Sequence, residues 1–188
     1  KRTSEANWKL PLRWAKAARG TGKRPRVFCA SLADVFDNRA PKDARADLWG
    51  LITETPELDW LLLTKRPENV AKMIPWRNTG FPWPNVWLGT TCEDQEHYNR
   101  RWPVLQQCRA VIHFISHEPS LGPLTRLRLV PGGPVPDWVI CGGESGHGAR
   151  YMEPVWARAL HEECALTGAA FFMKQMTGKK PIPDDLMV

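Results

Sequence analysis

The sequence predicts an α/β fold: a parallel (β/α) repeat that forms a partial or complete TIM-like barrel with about six visible strands. Three observations predict it. Six short apolar or β-branched runs recur with starts 25 to 33 residues apart, the length of a βα unit. The runs are continuous rather than alternating, as suits parallel strands buried on both faces. Stretches with helical spacing fill several of the gaps. An open doubly wound sheet is the alternative. A closed barrel usually needs about eight strands, so either the barrel is partial or two strands lie upstream of Lys1.

The strands are expected at RVFCA (26–30), DWLLLT (59–64), NVWLGT (85–90), AVIHFIS (110–116), DWVICG (137–142) and AAFFMK (169–174). A helix is expected in PKDARADLWGLITET, with Pro41 near its first turn and Leu48, Leu51 and Ile52 on one face. A second lies in EDQEHYNRRWPVLQQC, where Asp94 is an N-cap and Pro103 must kink or split the helix. A third is EPVWARALHEECALTG, opened by Pro154 and stopped by Gly168. The segment IPWRNTGFPWPN (74–85) is too rich in proline to be one regular element.

The chain has 188 residues and a net charge of +6. Residues 1–26 hold nine basic residues against one acid, Glu5, a balance of +8, so the other 162 residues carry −2. A basic N-terminal segment, residues 1–26, therefore precedes a nearly neutral barrel-like domain, residues 27–188. Trp8 and Trp14 suggest that the segment packs on that domain. The five cysteines stand at wide, irregular spacings without a CxxC pair, which indicates neither a disulfide framework nor a metal site within this chain. Reduced, buried thiols, no membrane span and no signal peptide fit a cytoplasmic protein.

The strand ends carry the functional expectation, because βα loops gather the active site at the C-terminal edge of a parallel sheet. The first run is followed by Ser31 and Asp34, the second by Lys65 and Arg66, and the third ends in Thr90, before Glu93 and Asp94. The fourth leads to His117 and Glu118, the fifth to Gly142, Gly143, Glu144 and Ser145, and the sixth to Lys174. Strand starts carry only turn residues. For any one of these residues a cap or a surface charge is explanation enough; the set as a whole points to a polar ligand. Paired glycines let backbone approach a ligand or take positive φ, and Glu144 beside them can hold an amine or a ribose hydroxyl, or act as a base. The histidines give no HxH or HExxH pair, and GESG is not a serine-hydrolase elbow.

Taken together, RVFCASLADVFD, LLLTKRPEN, NVWLGTTCEDQ, EPSLGP, DWVICGGESGHGARYMEPVWARAL and FFMKQMTGKK resemble a phage- and prophage-associated family of uncharacterised proteins found near three-Cys-motif partner proteins. That family is distantly similar to radical S-adenosylmethionine enzymes. The resemblance implies an N-terminal segment with three clustered cysteines for a [4Fe–4S] cluster. Those cysteines are not in this sequence, and the expectation is that they precede Lys1. His117 stands where the family usually shows cysteine. The resemblance implies S-adenosylmethionine as cofactor and nucleic acid or a modified nucleotide as substrate. Glu144, Glu118 and His117 are then the catalytic candidates, and Gly142, Gly143, Ser145, Asp34, Ser31 and Thr90 hold the cofactor. Lys65, Arg66, Arg150 and Lys174 meet phosphate. Without the cysteines the chain alone is expected to be inactive in that chemistry. The competing expectations are a nucleotide- or phosphate-binding module without redox chemistry, in which those four cations matter more than Glu144, and a degenerate scaffold whose strand-end groups are relics.

Overall fold

The computed structural model describes residues 3–29 and 33–187. Among them the order of elements is α1 (Glu5–Ala18), β1 (Arg26–Cys29), α2 (Lys42–Glu54), β2 (Asp59–Thr64), α3 (Pro67–Met73), β3 (Val86–Thr91), α4 (Gln95–Leu105), β4 (Ile112–His117), β5 (Trp138–Gly142), α5 (Pro154–Thr167) and β6 (Ala170–Gln175). Each strand falls within two residues of its apolar run. The strands are ordered β1-β2-β3-β4-β5-β6. This sequential order of parallel strands interleaved with helices is that of a (β/α) repeat. A doubly wound sheet would reverse its order at a switch point.

The chain divides into two compact units, Lys1–Leu88 with Arg109–Val111, and Gly89–Cys108 with Ile112–Val188. In the first unit, β1 pairs parallel with β2, Val27 facing Trp60 and Cys29 facing Leu62. Leu48, Leu51 and Ile52 of α2 are buried, the face that the sequence spacing gives. Prolines break the chain between α3 and β3 into a 3-10 turn (Pro75–Asn78) and irregular backbone. Its tryptophans pack together instead: Trp76 lies 5.5 Å from Trp83, and Trp49 about 6 Å from each. The Trp76 indole N–H, buried with its ring, donates to the Arg109 carbonyl at 3.0 Å.

In the second unit, β4, β5 and β6 run parallel, Ser116 facing Ile140 and Ile140 facing Phe172. Asp94 caps α4 by accepting from the His97 amide at 2.9 Å. Pro103 sits two residues before the end of α4, where it neither splits the helix nor is followed by much of it. Gly168 ends α5 at φ +82°, a left-handed conformation that glycine takes without a Cβ penalty. Gly89 is also needed: a Cβ there would lie 2.3 Å from the Phe114 ring, so the ring rests on bare backbone.

Two expectations are corrected. The connection from β4 to β5 has no helix, because Pro119, Pro123, Pro131, Pro134 and Pro136 with Gly132 and Gly133 forbid one. The outer strands are also not buried on both faces. Phe28 of β1 is 38% exposed and Phe172 of β6 43% exposed, since each strand ends the order and has one neighbour.

Candidate functional site

Six of the expected residues form ion pairs, each within its own unit: Asp34 with Arg66, Glu118 with Lys174, and Glu144 with Arg150. In the first unit Asp34 follows β1 and reaches the end of β2. Its Oδ2 accepts from the Thr64 hydroxyl at 2.9 Å, the Lys65 amide at 3.1 Å and Arg66 Nη1 at 3.0 Å. Its Oδ1 accepts from the Phe36 amide at 2.9 Å. Arg66 also spans to Asp37, 3.1 Å from Nη2. Asp37 was not among the expected residues, although ADVFD spaces it three residues after Asp34. The Arg39 backbone N–H holds the Asp37 carboxyl below its usual range, helped by the Arg66 and Arg39 charges. The Lys65 side chain is exposed, and Ser31 lies outside the described residues.

In the second unit Thr90 is fully buried within β3, so its side chain belongs to the core. Glu93, past the end of β3, pairs with Arg101 at 2.6 Å, and Arg101 also donates to the Thr91 carbonyl at 2.7 Å. Both side chains are only 11% exposed. Arg101 carries no motif; its only sequence signal is a helical position two turns after Glu93.

Glu118, just past β4, pairs with Lys174 of β6. Glu118 Oε1 is 3.0 Å from Lys174 Nζ, and Oε2 accepts from the Ser116 hydroxyl at 3.1 Å. The ladder between β5 and β6 steps from Cys141–Met173 to Gly142–Gln175, which leaves Lys174 as a bulge. Such a bulge re-aims a side chain, here onto the neighbouring carboxylate. Gly142 permits the pair, because a Cβ there would lie 2.8 Å from Glu118 Oε1.

Gly143 is fixed for a different reason. Its N–H donates to the Gln175 backbone carbonyl at 3.0 Å, its carbonyl accepts from the Gln175 side-chain Nε2 at 2.8 Å, and a Cβ would strike the Thr177 nitrogen at 2.5 Å. The two glycines are thus needed for the chain's own packing. Glu144 receives the Arg150 amide at 2.8 Å, Arg150 Nε at 3.0 Å, and Arg150 Nη2 as a further ion pair. Those bonds hold the Glu144 carboxyl below its usual range. Ser145 is exposed.

His117 is buried, its Nδ1 2.7 Å from the Cys92 carbonyl and its Nε2 2.7 Å from Ser120 Oγ. Neither Ser120 nor Thr177, which ties Met152 and Arg150 to the loop after β6, was expected from sequence.

A [4Fe–4S] cluster needs several thiolates brought together. Among the described residues no group of three or more His, Cys, Asp or Glu is placed to hold a metal ion. Burial pushes the Cys29 and Cys164 thiols up to about 12 and that of Cys141 higher still, so thiolate is disfavoured at each. The cysteines described here do not fit a cluster. No helix among the described residues is long and apolar enough to cross a membrane.

Across residues 1–183 the sequence matches the family described as Protein of unknown function (DUF5131), and the chain belongs to that family. No curated protein and no solved structure matches it.

Proposed function

We propose that this protein binds a phosphate-bearing ligand, a nucleotide or nucleic acid, at the C-terminal ends of β4, β5 and β6. One observation carries the reading: Lys174 and Arg150 each pair with a more buried carboxylate. The Lys174 side chain is 50% exposed over Glu118 at 14%, and Arg150 is 62% exposed over Glu144 at 26%. A carboxylate below and solvent above orients a cation outward, where an anion adds to a charge already positioned. Lys174 and Arg150 meet the phosphate; Glu118 and Glu144 position them. Calorimetric titration with mononucleotides and inorganic phosphate tests this. The K174Q/R150Q variant is expected to bind about tenfold more weakly or worse, the scale of a lost charge-assisted contact. A wild-type protein that binds none of these anions would sink the proposal.

A second reading is a phage-associated radical S-adenosylmethionine-type enzyme acting on nucleic acid, with a three-Cys-motif protein as partner. It is supported by the sequence resemblance and by the sequential order of parallel strands. Its cluster ligands would lie outside the described residues, and Glu118 and Glu144 would position cofactor and substrate. Anaerobic reconstitution of the chain with its native upstream residues, read by electron paramagnetic resonance with and without S-adenosylmethionine, tests it. A well-folded protein without a reducible cluster would end that reading.

A further inference from the structure

We infer that the outer face of α1 is a docking surface for the phosphate backbone of nucleic acid. The inference rests on the phosphate reading above and deepens it by naming a polymer.

Pro11, Ala15 and Ala18 form the buried stripe of α1, at spacings of four and three residues. Lys9, Arg13 and Lys16 repeat that spacing two residues earlier, about 200° around the helix and so nearly opposite. All three are exposed, and none makes a hydrogen bond or ion pair with another described residue. The stripe spans about 10 Å of helix, a length over which duplex DNA presents about six charges.

Ordinary solvated helices mix signs, as α2 and α5 do here: Lys42, Asp43, Arg45 and Asp47 in one, Arg158, Glu162 and Glu163 in the other. In α1 the single acid is Glu5, in the first turn. Two of the cations next along the chain are anchored to their own unit, Arg19 to Glu57 at 2.7 Å and Arg24 to Asp59 at 2.8 Å. They hold the helix's C-terminal end in place and leave the stripe to an outside partner. Leu12 and Trp14, 41% and 44% exposed, flank Arg13 and give apolar surface for a sugar or an unpaired base.

A basic amphipathic helix can also lie on an anionic lipid surface, but only by burying its apolar stripe in the lipid. Here that stripe is already covered, Ala15 being 2% and Ala18 7% exposed, and the exposed apolar side chains Leu12 and Trp14 stand on either side of Arg13 rather than on one face. Nucleic acid needs only the outward cations.

The test compares the full chain with K9Q/R13Q/K16Q and with a control of equal charge change, K42Q/K72Q/R100Q, all exposed positions. Affinity for labelled single-stranded and duplex DNA is measured across roughly 50–200 mM salt. The α1 variant is expected to lose about tenfold or more in affinity and to flatten the log–log salt slope by about two to three, one per lost phosphate contact. The control is expected to keep the wild-type slope, and both variants to titrate mononucleotide as wild type does. Equal losses in the two variants, or no DNA binding by the wild type, overturn the inference while leaving the strand-end site standing. Tight binding to anionic vesicles that the α1 variant loses, with DNA binding unchanged, overturns it in favour of a lipid surface.

Discussion

Ser120 places its hydroxyl 2.7 Å from Nε2 of His117, and neither residue is more than 1% exposed. The other ring nitrogen faces the Cys92 carbonyl, which can only accept. Nδ1 therefore carries the hydrogen, and Nε2 accepts from Ser120. A serine–histidine contact that in an open cleft would suggest a nucleophile here joins the ends of β3 and β4 inside the core.

The buried imidazole has a pH consequence. Burial lowers the His117 pKa below its usual 6.5, outweighing the backbone bond to Cys92 and the charges of Asp94 and Glu93, which pull upward. Below about pH 6.5 the unfolded chain takes up a proton that the folded chain refuses. Stability present above that pH is therefore lost as the pH falls. Urea melts at descending pH should show the loss in wild type and a smaller one in H117Q. H117A should cost about 2–4 kcal/mol at neutral pH, from an orphaned carbonyl and a cavity.

The two glycines at the end of β5 can be separated from their neighbour by alanine. G143A places a Cβ 2.5 Å from the Thr177 backbone nitrogen and should destabilise by about 1–3 kcal/mol or more. G146A meets nothing within 4 Å and should lie within about 0.5 kcal/mol of wild type in the same thermal melt.

Glu93 and Arg101 form a pair shielded from solvent on both sides. R101M removes the nearest cation from a buried carboxylate, leaving His97 Nδ1 at 4.0 Å, and should cost about 3–5 kcal/mol. In a double-mutant cycle with E93Q, the doubly substituted protein should recover a large part of that loss. Strict additivity would mean that the two side chains are not coupled.

The Phe114 ring resting on Gly89 predicts a suppressor. G89A drives a methyl into three ring carbons within 2.5 Å and should unfold the protein or lower its melting temperature sharply. F114L, mildly destabilising alone, should restore folding to G89A.

The strands were legible because each is a continuous apolar run, and that signal survives without tertiary context. Helix α1 was hidden by Pro11, which breaks the usual helical reading, although its ring sits in the buried stripe and the helix continues beyond it. Helix α3 was too short, at seven residues, to show a period. At the strand ends the residue types could be read, but not their pairing. Nothing in the sequence tells that Lys174 is a bulge turned onto Glu118, or that Gly142 and Gly143 make room for Glu118 and Thr177. Partners such as Arg101 and Ser120 are brought in by register and by loop path, which apolar periodicity does not encode.

Asp34 gives its two oxygens to four donors from two loops. Two of those donors are the backbone amides of Phe36 and Lys65, so solvent deuterium reaches either only when the carboxylate lets go. Release of one frees the grip on all, and the loops after β1 and β2 should open as one cooperative step. In native-state hydrogen exchange these amides, 29 positions apart in the chain, should share a single opening free energy, and D34N should accelerate both together.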